Sequence, residues 1–368
     1  MHVSTLTLKN FRNYEYLTLD FCPGNNFITG RNGTGKTNIL EALAILSQVK
    51  SFRNVPDTEI IQWGKEQYYC SAEVMDTQYQ RFEMGCAKYG EIIKKKAKID
   101  GKEEKKISDY FGKLVTIIFS PGDTILVYGS PDIRRRFFDG VISKIDTTYI
   151  DHLQEFRRIL KNRNSLLKDI RDGRKDAGHL DVWDHMFADT SSVIMTRRSD
   201  TAERSMKLFQ NAYASISGYE DIPVMRYRPS MRSFEKDVLI SVLKKNRVRD
   251  IQAGTTTSGP QRDDFILESS DGRGFVYYAS EGQVRMASVS LKVAEMQLVE
   301  RQKRVKPILL VDDIMSQLDE RRRHNVVAFF QEENQIIFTM VDAARIWGSR
   351  KQEREFYIRE NARVEVKS

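Results

Sequence analysis

The chain has 368 residues, 40% hydrophobic and 30% charged, with 8 prolines, three cysteines and a net charge of +8. That length predicts about two or three domains of ordinary globular composition. No apolar run approaches the ~18 residues of a bilayer span. The widely spaced Cys22, Cys70 and Cys86 suit neither a disulfide framework nor a metal-ligand pair. Membrane-spanning and disulfide-scaffold classes are therefore excluded, and the expected setting is the reducing cytoplasm. The excess positive charge permits an anionic partner, for which nucleic acid is the usual candidate.

The opening MHVSTLTLKNF lacks the apolar centre of a signal peptide and reads as a strand. Residues 3–8 alternate as a half-buried strand does, and Leu17 to Phe21 do so again. Asn25 to Thr29 reads as a short strand entering a glycine-rich turn. A helix from about Lys36 to Val49 follows, with Ile39, Leu40, Leu43 and Leu46 on one side. Two β-rich stretches near 67–87 and 92–100 follow, then a buried strand over Val115 to Phe119, stopped by Pro121 and Gly122.

From about Thr147 to Gly218 the chain is proline-free, charge-rich and helical in period, with Leu153, Leu160 and Leu167 seven apart. Phe156 and Ile170 flank a gap in that pattern at Arg163. After a turn at Asp172-Gly173-Arg174, a second helical run carries Trp183, Phe187, Ile194 and Leu208. This pattern fits either a projecting antiparallel arm or a packed helical subdomain. From roughly 250 the βα character returns. A strand is expected over Phe275 to Ala279, a helix over Gln283 to Gln302, and strands over Ile308 to Val311 and Gln335 to Met340.

Three motifs carry chemistry. Gly30-Arg31-Asn32-Gly33-Thr34-Gly35-Lys36-Thr37 fits G-x-x-x-x-G-K-[ST] between a strand and a helix. Such a loop wraps backbone N–H groups around β- and γ-phosphates, with the Lys36 charge on the same oxygens and the Thr37 hydroxyl on Mg²⁺. Far along the chain, four apolar residues end in Asp312-Asp313. Beside a phosphate loop these acids are expected to hold Mg²⁺ through water (Asp312) and to orient or deprotonate the attacking water (Asp313). The third motif, Ser280-Glu281-Gly282-Gln283, opens a helix and forms a second anion site, which one phosphate chain in one fold does not need.

Ser280-Glu281-Gly282-Gln283, with Arg285 after it, resembles the signature loop of the ABC-type ATPases, and Ser316-Gln317-Leu318-Asp319 resembles their D-loop. That resemblance implies a loop acting on a partner protomer's ATP, so that two chains sandwich two nucleotides, with Ser280, Gly282 and Gln283 as contacts. More narrowly, five stretches in order along the chain resemble the RecF family of bacterial recombination mediators. They are Leu6 to Tyr14, Gly33 to Leu43, Phe119 to Asp139 with its Arg134-Arg135-Arg136 run, Leu160 to Lys168, and Ser258 to Asp264. The family resemblance implies Arg12 and Asn38 as further nucleotide contacts. It also implies ATP-dependent dimerisation, slow DNA-stimulated ATP hydrolysis, and binding of double-stranded DNA near single-strand gaps. RecR and RecO are the implied partners in loading a recombinase. The sequence departs from the family pattern at Gln261, where His is usual, and at Glu281 and Val284, where Gln is usual. Thr339 stands near the place of the transporters' switch histidine.

Candidate phosphate contacts for DNA are Lys94-Lys95-Lys96 with Lys98, Arg134 to Arg136, Arg157-Arg158 with Lys161 and Arg163, and Lys244-Lys245 with Arg247. The same ATPase motifs would serve a transporter's ATP-binding subunit, or the RecF-like head of an ATP-gated defence or nuclease complex. The missing switch histidine and the basic helical segment disfavour the first. The absence of an appended nuclease domain makes any nuclease a separate protein. The expected fold is α/β: an ABC-type P-loop ATPase head with a β-rich lobe, built from residues 1–145 and 250–368 and interrupted by a mostly helical arm over 146–249.

Overall fold

The computed structural model describes residues 1–330, 334–341 and 352–367. They divide into two compact units, one of residues 1–123, 215–217 and 291–368 and the other of residues 124–214 and 218–290.

The first unit holds two six-stranded sheets. One is an antiparallel lobe in the order Tyr14–Asp20, His2–Phe11, Gln67–Met75, Tyr79–Tyr89, Ile92–Ile99, Lys102–Glu103. Its strands alternate, burying Val74, Ala72 and Cys70 on one face while Glu73 and Tyr69 point the other way. The other sheet runs Val364–Lys367, Glu353–Ile358, Asn25–Thr29, Ile336–Met340, Ile308–Asp312, Thr116–Phe119, parallel except for the Val364–Lys367 edge. Continuous apolar runs such as Ile308 to Val311 suit strands covered on both faces.

Helix Lys36–Gln48 belongs to one core with residues of both sheets, including Leu6, Cys70, Met84, Ile28, Leu310 and Ile337. The sequence pattern suggests a one-sided apolar helix. In the structure Ile39 through Ser47 are all buried, because sheets cover the helix on more than one side. The stretch 67–87 resolves into two strands around the turn Asp76–Gln78.

In the second unit, helices Thr148–Arg171, Leu180–Ser217 and Lys236–Ala253 share a core containing Leu153, Phe156, Ile159, Phe187, Ile194, Leu239 and Leu243. The helical run is thus a packed bundle. Its boundaries differ from those expected, since residues 124–145 and 250–290 join the helices. Specific contacts hold them there. Arg134 is bidentate to Asp264 at 2.8 Å, Phe138 stacks on Phe265 at 3.9 Å, and Arg198 bonds both Asp139 and Asp263. The strand expected over Phe275 to Ala279 is instead a 3₁₀ turn, Phe275–Tyr277. Phe275 alone is buried there while Tyr277 is 88% exposed, so the segment has no buried face to pair as a strand.

The gap at Arg163 is filled by charge. Arg163 is fully buried, with Asp184 and Asp250 each at 2.9 Å and Thr256 at 2.8 Å. Removing one partner of such a cluster strands the others' charge in a low dielectric. Arg163→Ala is expected to lower stability by about 3–5 kcal/mol in urea unfolding followed by circular dichroism. Adding Asp250→Asn to that variant should recover part of the loss, because Asp184 keeps Arg247 while Asp250 loses its cation; a loss under about 0.5 kcal/mol would show the cluster to be dispensable.

Candidate functional site

Strand Asn25–Thr29, buried at every residue, ends at Gly30, where the chain turns into the phosphate-loop motif. Gly30 has φ +143°, and a β-carbon there would collide with the Ile358 carbonyl. Gly35 has φ +106°, and its missing β-carbon leaves the space taken by the Asn13 carboxamide. Asn13 braces the loop: its Nδ2 donates to Thr34 O at 3.0 Å, and it accepts from Asn38 Nδ2 at 2.8 Å. Thr34 Oγ1 donates to Arg31 O at 2.9 Å, closing the turn from within. Arg31, Asn32 and Gly33 form its exposed crest, with Arg31 paired to Glu360 at 3.0 Å.

Lys36 is buried, and its ammonium donates to Gly30 O at 2.7 Å and Arg31 O at 2.8 Å. Burial pulls its pKa below the usual lysine value, while the charges of Asp313 and Asp312 pull the other way. An ammonium curled into its own loop, beside two acids, is placed to meet phosphate oxygens entering that loop.

The acids lie next to it. Parallel register sets Asp312 beside Thr339, and Thr37 Oγ1 donates to Asp312 Oδ1 at 2.7 Å. Asp313 has φ +47°, a left-handed conformation that costs a non-glycine residue about 1–2 kcal/mol. Its N–H is held by Thr339 O at 3.1 Å and Thr339 Oγ1 at 3.2 Å. Asp313 Oδ1 is buried without a hydrogen-bond partner among the described residues. An orphaned carboxylate oxygen beside a phosphate loop fits a site that takes a water and a hydrated cation. Strained backbone at such a place is itself a mark of a functional site.

Arg12 lies beside this site but is committed elsewhere. It is bidentate to the fully buried Glu41, at 2.8 and 2.7 Å, and donates to Glu59 O at 2.6 Å. This leaves two of its five N–H groups for another partner. Glu41 also binds Ser51 and lies 3.7 Å from Arg53, whose Nη1 reaches Asn38 Oδ1 at 3.1 Å. Asn13 and Glu41 carry no signal of their own in the sequence, although both lie inside the stretches that carry the resemblance. No spacing rule flags a carboxamide or a lone helical acid.

Ser280, Gly282 and Gln283 belong to the second unit, whereas Lys36, Thr37, Asp312 and Asp313 belong to the first. Gln283 N–H donates to Ser280 Oγ at 3.2 Å, and Ser280 N–H donates to Gln283 Oε1 at 2.8 Å. This is a reciprocal capping box opening helix Glu281–Lys303. Glu281 is paired with Arg285 at 2.7 Å. In the D-loop-like stretch, Ser316 Oγ donates to Asp313 O at 2.8 Å, and Asp319 caps helix Glu320–Val327.

Several cations proposed as DNA contacts have internal partners. Arg134 is bound to Asp264, Arg135 to Asp263 O, Arg163 to the buried aspartates, Arg247 to Asp181 and Asp184, and Lys95 to Asp57 and Val49 O. Burial counts against such groups as phosphate contacts, since their charge is already matched. Lys94, Arg157, Lys161, Lys244 and Lys245 are exposed. Lys96 is exposed too, with Glu103 beside it at 3.0 Å, and Arg158 pairs with Glu155 at 2.6 Å. No helix among the described residues is long and apolar enough to cross a membrane.

A phosphate loop at the end of a parallel strand, with paired acids ending a strand of the same sheet, makes this unit a P-loop nucleotide-binding fold. A family model described as the RecF/RecN/SMC N terminal domain matches residues 2–360. Within that class, the chain belongs to the RecF family. It is 34% identical to the DNA replication and repair protein RecF of Leptospira interrogans serogroup Icterohaemorrhagiae serovar Lai, over 99% of both chains. It is 35% identical to that of Lactobacillus johnsonii, over 97% of both. A solved structure titled as the recombination mediator protein RecF-ATP in the RecFOR pathway superposes with a TM-score of 0.90, at 30% identity, covering 100% of this chain and 97% of that one. An Smc head bound to the C-winged helix domain of ScpA shares the fold, with a TM-score of 0.56 at 14% identity.

The loop geometry makes Gly35 irreplaceable. Gly35→Ala is expected to weaken binding of a fluorescent ATP analogue about tenfold, from the left-handed strain and the displaced Asn13. Gly140→Ala, at a helix position with open space around it, should leave binding unchanged; equal affinities of both variants would mean the loop does not bind the nucleotide.

Proposed function

We propose that this protein is an ATP-dependent DNA-binding protein of recombinational repair and replication restart. It closes into a homodimer on ATP, binds double-stranded DNA near single-strand gaps, and helps load a recombinase together with RecR and RecO. The observation that carries the ATPase reading is the 2.7 Å bond from Thr37 to Asp312, which joins the phosphate loop to the acids within one unit. The names of the relatives and of the RecF-ATP neighbour support the biological setting.

Gly30 opens the loop with its own N–H bonded to Val341 O at 3.3 Å. Arg31 to Gly35 offer backbone N–H groups to the β- and γ-phosphates, and Lys36 exchanges its two carbonyl partners for phosphate oxygens. Thr37 and Asp312 are the groups that would hold Mg²⁺, and the ion supplies neutralisation of the phosphate charge. Asp313 receives a water on its unpartnered oxygen, orients it toward the γ-phosphate and accepts its proton. Ser280, Gly282 and Gln283 serve the nucleotide of a second copy, with the helix N-terminus adding its partial positive charge. Arg12 and Asn38 flank the nucleotide through the donors left to them. Slow, DNA-stimulated turnover is the expected regime. Of those basic runs, Lys94, Arg157, Lys161, Lys244 and Lys245 are exposed cations available to phosphate of a duplex.

Sedimentation with and without ATP·Mg²⁺, with a gapped duplex as titrant, tests this reading. An ATP-dependent dimer that binds DNA more weakly as salt rises is the expected result. Lys36→Ala should abolish ATP binding or turnover. Ser280→Arg should keep ATP binding by the monomer and lose the dimer. Asp313→Asn should accumulate the dimer while turnover falls by about 10²-fold or more, the usual contribution of a general base. Wild-type turnover from Asp313→Asn, or a Ser280→Arg protein that still dimerises, would refute the corresponding role.

A further inference from the structure

Thr339 has no role in the scheme above, yet its side chain lies between the two acids on which that scheme rests. It is 2% exposed, on strand Ile336–Met340, directly paired with Asp312 in the parallel register. Its hydroxyl makes two bonds: to Asp312 Oδ1 at 2.7 Å, and with the Asp313 N–H at 3.2 Å.

The direction of both is fixed by proton count. The Asp313 N–H can only donate, so Thr339 Oγ1 accepts there. The one hydroxyl proton is then directed to Asp312 Oδ1, which can only accept while ionised. That same oxygen also accepts from Thr37 at 2.7 Å. Asp312 Oδ1 is therefore held from two sides, by one hydroxyl expected at the cation and by a second that belongs to no ligand.

We propose that Thr339 is a positioning residue for ATP hydrolysis, which fixes the Asp312 carboxylate and the left-handed turn at Asp313 as one unit. The proposal rests on the ATPase reading given above. Holding Asp312 from behind keeps the carboxylate in place when Thr37 turns its lone pairs to the cation. Holding the Asp313 N–H stabilises φ +47°, the turn that carries the acid whose buried Oδ1 has no hydrogen-bond partner among the described residues. Valine has nearly the same shape as threonine but loses the bond to Asp312 and leaves the Asp313 N–H only the main-chain carbonyl, at 3.1 Å. Serine keeps the hydroxyl and with it both bonds.

The test compares full-length wild type, Thr339→Val, Thr339→Ser and Lys36→Ala. Steady-state ATPase kinetics give kcat, KM for ATP and the Mg²⁺ dependence. Electron paramagnetic resonance of free Mn²⁺ with a non-hydrolysable ATP analogue, referred to a control of analogue alone, gives metal affinity without turnover. Thr339→Val is expected to keep KM for ATP within about threefold and to lose about 10- to 100-fold in kcat, the range for a hydrogen bond to a charged group. It should also weaken Mn²⁺ binding at least about threefold, and Thr339→Ser should restore both values to near wild type. Wild-type kcat and metal affinity in Thr339→Val overturns the proposal. So does a Thr339→Ser variant as impaired as Thr339→Val, since the hydroxyl would then not be the active element. A wild type no faster than Lys36→Ala would instead defeat the ATPase reading, and the Mn²⁺ comparison would still decide the role of Thr339.

Discussion

Asp312 Oδ1 accepts two hydroxyl protons, from Thr37 and from Thr339, residues 275 positions before it and 27 after it. The sheet makes this meeting possible. Strand Ile336–Met340 lies between Ile308–Asp312 and Asn25–Thr29, all in parallel register, so the carboxyl ends of all three open on the same edge. Ligand sites of parallel α/β sheets gather at that edge because loops leave the strands there and helix N-termini face it. The loop of Gly30 to Thr37, the acids at 312 and 313, and the hydroxyl at 339 are therefore brought together by strand order. No local sequence signal encodes that order.

The same dependence on order explains the helix that follows the loop. Its buried face includes Glu41, an acid with no exposed surface, tolerated because Arg12 gives it two charge-assisted bonds and Ser51 a third. Arg12 comes from the end of the first lobe strand. An ion pair thus links that strand, the helix and, through Arg53 and Asn38, the brace on the loop. Disturbing Glu41 would strand the Arg12 charge and loosen the loop from behind. The fold and the phosphate site are stabilised by one connected set of bonds.

What was legible in the sequence follows from range. Local signals located the strand Asn25 to Thr29, the helix from Lys36, the buried run at 308–311 and the turn at Asp172 to Arg174, because each is fixed by periodicity or turn residues within about ten positions. The strand expected at Phe275 to Ala279 failed since an apolar run shows propensity but not a partner. The ribbon Val224–Arg228 with Asp264–Glu268 went unread because its two strands lie far apart along the chain and the first carries the arginines Arg226 and Arg228. Arg163 is the sharpest case. In the heptad it reads as an interruption, yet it is the best-buried cation of the helical unit, matched by aspartates from two other helices. Charge in a sequence marks solvent unless a distant opposite charge is known, and only the structure supplies the partner. For the same reason the basic runs overstate the phosphate-binding surface: Arg134, Arg163 and Arg247 are already neutralised within their own unit, and Arg135 lies 3.5 Å from Asp132.

The departure at Glu281 is answered by the same bookkeeping of partners. An acid in a loop expected to meet phosphate would oppose it if the charge stood alone. Here its carboxylate is matched by Arg285, one helical turn on, and an acid in a first helical turn also lies near the positive end of the helix dipole. The pair is neutral, so the loop's character is set by its remaining donors. Ser280 Oγ accepts the Gln283 N–H and keeps its own proton to donate. The capping box fixes that hydroxyl at the helix start before any ligand arrives. A loop built in this way can meet an anion with a preoriented donor and the helix's partial positive charge, and Glu281 need not be removed for it to do so.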